Sequence, residues 1–317
     1  MPPDSELQKM KNDGRALVIG GANYDITAGI KSEVVPADSN PAQIYGNCGG
    51  VGRNIAENLA RMGAKAAFLT AWGDDSFSAE IAASCSSVGL DVSRCVCVPG
   101  ASSAIYMDIL DSKGELILAA SDLTVLEELP AKAFEDRGDY ISGFSHVFLD
   151  ANLLPHQLEA AAACAAGKLF ADAVSVSKAP RLRSILPKLF ALKVNRSELE
   201  ILSGMHAVDE ADMKAAAQKL LDCGVKRVYI TLGADGSCCL SENGFFCCRA
   251  GKPDVKSVTG AGDAFAAAIM LADMAGMNEE QSLRLGTAAA ELTLESPYAV
   301  SRDMSRKMLE ERLDGFI

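Results

Sequence analysis

Apolar residues enter this chain in short unbroken blocks. Ala16-Leu-Val-Ile19 is followed at once by Gly20-Gly21, and an apolar run without polar alternation predicts a strand covered on both faces. Blocks of the same kind recur at Ala66-Ala-Phe-Leu-Thr70, His146-Val-Phe-Leu149, Lys168-Leu-Phe-Ala171, Ala191-Leu-Lys-Val194 and Arg227-Val-Tyr-Ile-Thr-Leu232. Most are separated by segments of helical period: Val51, Ile55, Leu59 and Met62 share one stripe, Met213, Ala216, Ala217 and Leu220 another. An alanine-rich helix is expected over Leu158 to Ala166. Strands alternating with helices predict βαβ units, hence an α/β core with a mostly parallel sheet between helical layers.

Two stretches break the alternation. Residues 31–46 are rich in Pro, Asn and Ser, and residues 103–120 read as a hairpin around Asp111-Ser-Lys-Gly114. Both are expected to project as a small β lid. Along Ala104–Leu110, Ile105, Met107 and Ile109 share one face, while Tyr106 and Asp108 share the face left for ligand or solvent. There is no internal repeat and no Pro/Ser linker, so residues 1–317 are expected to form a single domain carrying the two lid segments.

Composition narrows the functions. With 49% apolar and 23% charged residues, the chain is globular rather than disordered or fibrous. A net charge of -12 disfavours a nucleic-acid polymer as partner. No apolar run reaches the roughly 18 residues of a membrane span, and the start MPPDSELQKMKNDGR lacks a signal-peptide core. A cytoplasmic protein without membrane contact is expected. The 10 cysteines include no C-x-x-C pair, which argues against zinc. If Asn243-Gly244 closes a two-residue hairpin, Cys239 faces Cys248 closely enough to oxidise, although a reducing cytosol should keep that bond open.

The segment Val258-Thr-Gly-Ala-Gly-Asp-Ala-Phe265 concentrates the chemistry, because a glycine-containing turn runs directly into an apolar helix. Bare amides and the dipole at such a helix start suit the charge on a phosphoryl group in transfer. Asp263, in the first turn, is placed to take the proton of an attacking hydroxyl. Thr259 and Asp263 would equally serve as ordinary helix caps.

The segment does not stand alone. Gly260-Ala-Gly-Asp263 resembles the glycine-rich motif of the ribokinase-like (PfkB) carbohydrate kinases, and further motifs follow the family's order. Asn195-Arg-Ser-Glu198 resembles the pair that in the family helps hold magnesium and its waters. Thr231-Leu-Gly-Ala-Asp-Gly236 resembles its nucleotide-side loop, with Thr231 and Gly233 as contacts beside Asn195, Thr259, Gly260 and Gly262. Gly21-Ala-Asn-Tyr-Asp25 and Gly49-Gly-Val-Gly-Arg-Asn54 resemble the elements that grip the acceptor, implying Asn23, Asp25, Gly49, Gly50 and Asn54 as its contacts. The dinucleotide spacing G-x-G-x-x-G is absent from the latter. The resemblance spans about Ala16 to Ser305 and implies a three-layer α/β/α fold, ATP and Mg²⁺ as cofactors, a sugar or nucleoside substrate, and dimerisation through the lid. Gly260, Ala261, Gly262 and Asp263 would form the catalytic turn.

Departures from the ribokinase pattern sharpen the expectation. Val51 stands where ribokinases carry a lysine, which suits a free pentose poorly. Gly21–Asp25, Asp38-Ser-Asn-Pro41, Gly50–Ala60 and Leu292-Thr-Leu-Glu-Ser-Pro297 instead resemble the family's pseudouridine kinases. That likeness implies a ribose held by Asp25 and Asn54, its 5′-hydroxyl aimed at Asp263, and a base beneath the lid where Ser39 and Asn40 add polar contacts, unless Asp38 to Pro41 is only a turn. Ser257 replaces an aspartate that in many ribokinases ligates a monovalent cation, which leaves potassium open. The alternatives are a kinase for ribose, another nucleoside or a related sugar, and a nucleoside-binding protein without catalysis.

Overall fold

The computed structural model describes residues 14–313. Its strands, in chain order, are β1 Arg15–Ile19, β2 Asn23–Ile30, β3 Ala42–Gly49, β4 Lys65–Leu69, β5 Ala71–Trp72, β6 Val96–Cys97, β7 Ile105–Leu110, β8 Leu116–Asp122, β9 His146–Asp150, β10 Lys168–Asp172, β11 Ala191–Asn195, β12 Arg227–Thr231, β13 Ser237–Ser241 and β14 Gly244–Cys248. Eight of them form one sheet in the order β14-β13-β12-β11-β10-β9-β1-β4. From β4 to β12 every pairing is parallel, and β13 and β14 close one edge as an antiparallel hairpin.

Successive side chains of the parallel strands enter opposite cores. Leu17, Ile19, Val147, Leu149, Val228 and Ile230 pack on the side of the helices Pro155–Cys164, Arg196–Ser203 and Glu210–Asp222. Ala16, Val18, Phe148, Phe170 and Tyr229 pack on the side of the helices Val51–Arg61, Ala261–Met274 and Glu279–Leu294. A strand apolar on both faces thus becomes the middle layer of an α/β/α sandwich. The alanine-rich helix begins at Pro155, three residues before Leu158, because proline suits the first helical turn and Gln157 Oε1 accepts the Leu154 amide at 2.8 Å.

The lid is a four-stranded sheet ordered β3-β2-β7-β8. It is larger than the two segments that broke the alternation. Strand β2 precedes both of them, and its sequence Asn23-Tyr-Asp-Ile-Thr-Ala-Gly-Ile30 has period two, with Tyr24, Ile26 and Ala28 on one face and Asn23, Asp25 and Thr27 on the other. Strand register sets Asp25 beside Tyr106 and Asn47, and Thr27 beside Asp108. The polar sides of β2, β3 and β7 therefore form one surface facing the core domain.

The expected cysteine pairing is corrected. Ser241 pairs with Gly244, so the turn residues are Glu242-Asn243 rather than Asn243-Gly244. Asn243 is held there because its amide donates to Ser241 Oγ at 3.1 Å and its Nδ2 to Glu279 Oε1 at 3.0 Å. Moving the turn by one residue sets Cys238 opposite Cys247, and these two form a disulfide. Cys239 faces Phe246 and is buried in the opposite core, while Cys248 pairs with Ser237.

Candidate active site

The helix Ala261–Met274 begins on Gly260, whose φ of 82° is left-handed. A Cβ there would overlap the carbonyl of Ala299, so only glycine allows the chain to turn this closely into the helix. No side chain caps the helix start, and among the described residues no hydrogen-bond partner meets the amides of Ala261, Gly262 and Asp263. The start is therefore a free donor cluster at the positive end of the dipole.

Two cavities meet at this turn. The larger, of about 950 Å³, lies between core and lid and is lined by Asn23, Asp25, Gly50, Asn54, Thr259, Gly260 and Asp263, among others. The smaller, of about 530 Å³, is lined by Thr231, Gly233, Ala261, Gly262, Phe265 and the apolar Val255, Val258 and Leu294. Gly260 and Asp263 face the first cavity, and Ala261 and Gly262 face the second. One helix start is the partition between them.

The ends of the parallel strands form the floor, where open α/β sheets place their ligand crevices. The buried Asp150 accepts from the Gly21 amide at 2.9 Å and the Asn152 amide at 2.8 Å, fixing the turn that leads into the lid. Beside it the buried Asp172 pairs with Lys193 at 3.0 Å. Burial opposes the charge on Lys193, yet Asp172, Glu198 and Asp263 hold its pKa above the ordinary lysine value.

Burial pushes Asp263 up to about 7, and the nearby Asp172 and Asp150 add to the rise. A bond from Asn54 Nδ2 to Asp263 Oδ2 at 2.9 Å and the charge of Lys193 pull the other way. Asp25 is likewise pushed up to about 6 by burial, with Asp108 adding to it, against a hydrogen bond from Asn23 and the charge of Arg53. A carboxyl poised near neutrality is thus surrounded by acceptor-type oxygens and amide donors.

Other expected residues sit elsewhere. Asn40 Oδ1 accepts the Val35 amide at 2.8 Å and its Nδ2 donates to Val35 O and Asp38 O, so its amide is spent on its own turn. Ser39 lies in the same exposed turn, its amide bonded to Asp38 Oδ1, and neither residue lines the cavity. This segment takes the turn alternative weighed for Asp38 to Pro41. Gly49 is buried against the Asp25 carboxyl rather than at the cavity surface. Asn195 and Glu198 form a reciprocal capping box: Asn195 Oδ1 accepts the Glu198 amide at 2.9 Å and Glu198 Oε2 accepts the Asn195 amide at 2.8 Å.

Several site residues escaped the sequence reading. Arg53 and Glu57 line the larger cavity, joined one helical turn apart. Their signal was the polar stripe Arg53, Asn54, Glu57, Asn58 and Arg61 opposite the apolar one, which is buried as well except at Arg61. Asp108, on the strand face the alternation left for ligand or solvent, also lines the cavity, and its Oδ1 is buried without a partner among the described residues. Lys178 reaches the same space and donates to Asn152 Oδ1 at 2.6 Å. Lys193 was hidden inside a strand that otherwise reads as core.

A mostly parallel three-layer core, a β lid over the strand ends and two cavities sharing a bare helix start define a kinase-type α/β protein. Residues 14–305 match the description "pfkB family carbohydrate kinase". The chain is 32% identical over 300 residues to the pseudouridine kinase of Escherichia coli (strain K12), covering 93% of this chain and 95% of that protein. A solved carbohydrate kinase from Agrobacterium tumefaciens superposes with a TM-score of 0.84 at 27% identity, over 95% of this chain and 97% of that one. The ribokinase of Thermotoga maritima shares the fold, with a TM-score of 0.84 at 24% identity over 95% and 99% of the two chains. This chain belongs to the pfkB family of carbohydrate kinases.

Proposed function

We propose that the protein is a cytosolic ATP-dependent kinase that phosphorylates the 5′-hydroxyl of pseudouridine. The observation carrying this reading is the position of Asp263, facing the larger cavity from a helix start whose neighbouring residues face the smaller one. The acceptor occupies the larger cavity, its ribose hydroxyls on Asn23, Asp25 and Asn54. The nucleotide occupies the smaller, with the adenine against Val255, Val258 and Leu294 and the phosphates directed at Ala261 and Gly262. Asp263 orients the acceptor hydroxyl and takes its proton late in a loose transfer, while the free amides hold the charge on the moving phosphoryl group.

Among the described residues no three His, Cys, Asp or Glu side chains would cage a metal ion. Oxygen donors without a cage fit Mg²⁺, which keeps several waters and arrives on the nucleotide phosphates. Asn195 Nδ2 and Glu198 Oε1, the atoms their capping box leaves over, would hold its waters, and the ion would supply neutralisation of phosphate charge. Ser257 faces the larger cavity and its Oγ accepts the Thr259 amide at 3.2 Å, which leaves a monovalent cation to be tested by potassium titration.

The acceptor is assigned from the relative at 32% identity, together with two features of the cavity. Val51 puts an apolar group where a free sugar would want a donor. Asp108 carries an orphaned acceptor oxygen on the lid, and the C-linked base of pseudouridine keeps an N1–H that N-linked uridine lacks.

The lid's outer face supports a homodimer. Ile44, Met107 and Leu118 are exposed there, on the side opposite Asp25, Tyr106 and Asp108. The experiment is ADP release with pseudouridine, uridine, ribose and fructose side by side. Preference for pseudouridine is expected; preference for uridine or ribose would replace the acceptor assignment and leave the kinase standing, and no release with any of them would favour a silent nucleoside-binding protein.

A further inference from the structure

Among the described residues Asn54 is the one side chain hydrogen-bonded to the Asp263 carboxylate, and an amide can meet a neighbour with either end. Donating its NH₂ group stabilises an anion, whereas presenting its oxygen repels one. The structure contains a device that decides between them. Arg53 Nη1 donates to Asn54 Oδ1 at 3.0 Å and to Cys48 O at 2.7 Å, and Arg53 Nη2 donates to Ser84 Oγ at 3.1 Å and pairs with Glu57. Glu57 in turn holds Arg61 Nε at 2.7 Å. With its oxygen claimed by a guanidinium, the Asn54 amide has only its Nδ2 left for Asp263, which it meets at 2.9 Å.

Arg53 itself is 6% exposed, so its fork is held by helix, lid strand and neighbouring helix together. A flexible surface cation would not fix an amide in this way. We infer that Arg53 is a positioning residue of the phosphoryl transfer: it sets the Asn54 amide so that its donor end, and never its oxygen, faces the base.

The inference rests on the reading of Asp263 as that base. The charged groups facing Asp263 are Asp172, Asp150 and Lys193, with Asn54 as its hydrogen-bond donor. None of these three charged groups is removed by a change at residue 53, which acts on Asp263 through Asn54. Arg53 also favours ionisation of Asp25 by its charge, so a charge-preserving variant is needed to separate the two effects.

The test measures kcat and KM against pH for the unmodified protein, Arg53→Met, Arg53→Lys, Asn54→Ala and the Arg53→Met/Asn54→Ala double variant, using the acceptor that gives most ADP release. Arg61 stays paired with Glu57 in the methionine variant, so no buried carboxylate is stranded. Arg53→Met is expected to lower kcat by about tenfold or more, within the range for misplaced catalytic groups, and to move the acid limb of kcat/KM to higher pH while the KM for ATP stays unchanged. Arg53→Lys restores the charge without the fork, and is expected to recover the acceptor KM but not kcat. On the Asn54→Ala background the methionine change is expected to add little.

Full additivity of the two substitutions, or recovery of kcat by lysine, would overturn the inference. Should Arg53→Met fail to fold, the lysine variant and the Asn54→Ala comparison still decide it. Retained turnover in Asp263→Asn would sink the underlying reading instead. An inactive Asp263→Asn beside a fully active Arg53→Met sinks only this inference.

Discussion

Asp263 meets two opposing demands. As the proposed base it must be ionised to accept a proton, yet burial favours its neutral form and pushes it up to about 7. Since the acid form is inactive as a base, kcat/KM should rise with pH through a limb near 7 and level off above it. A limb near the ordinary aspartate value of about 4 would remove Asp263 as the controlling group. Burial pushes Asp25 up less far, to about 6, and its proposed role needs the carboxylate to accept hydroxyl protons. Asp25→Ala should therefore raise the acceptor KM by roughly tenfold or more, the cost of an unpaired polar contact, and leave the KM for ATP near its original value. Equal effects on both constants would make Asp25 a structural residue.

At the scale of elements, the turn into the helix Ala261–Met274 depends on Gly260. An alanine there must hold a left-handed backbone and displace the carbonyl of Ala299. Gly260→Ala is expected to fold with a lowered melting temperature and to lose roughly a hundredfold in turnover, as a shift of the helix start by an ångström would cause; near-normal turnover would mean that the amides need no such placement. The buried strands and this turn were legible in the sequence because apolar blocks and a glycine before a helix are local signals. Strand β2 was not, because Asn23–Ile30 lies inside a segment whose glycines and polar residues draw attention to ligand contacts. The β13–β14 register was missed for a related reason. Asn-Gly is the strongest hairpin signal in isolation, but Glu279, from a helix far along the chain, holds Asn243 in the turn and moves the register by one residue. Asp108 was legible only as a position on the ligand or solvent face of its strand, and Arg53 was invisible as a site residue because its meaning comes from the lid and helix being brought together.

At the scale of the molecule, the sheet supplies a floor, the lid supplies one wall, and the shared helix start separates the two cavities between which the proposed transfer would run. The outer lid face carries the exposed Ile44, Met107 and Leu118, and the proposed dimer would close over these residues. Ile44→Asp is expected to shift sedimentation from dimer to monomer, and an unchanged dimer would place the contact elsewhere. That the cavities serve one transfer is tested most directly by rapid-quench measurement of the γ-phosphoryl group passing from ATP to the acceptor in a single turnover, for the unmodified protein and Asp263→Asn, alongside nucleotide affinity. The account predicts intact ATP binding with transfer slowed by about a hundredfold or more, the usual scale for a positioned base. Transfer at a comparable rate in Asp263→Asn would contradict it.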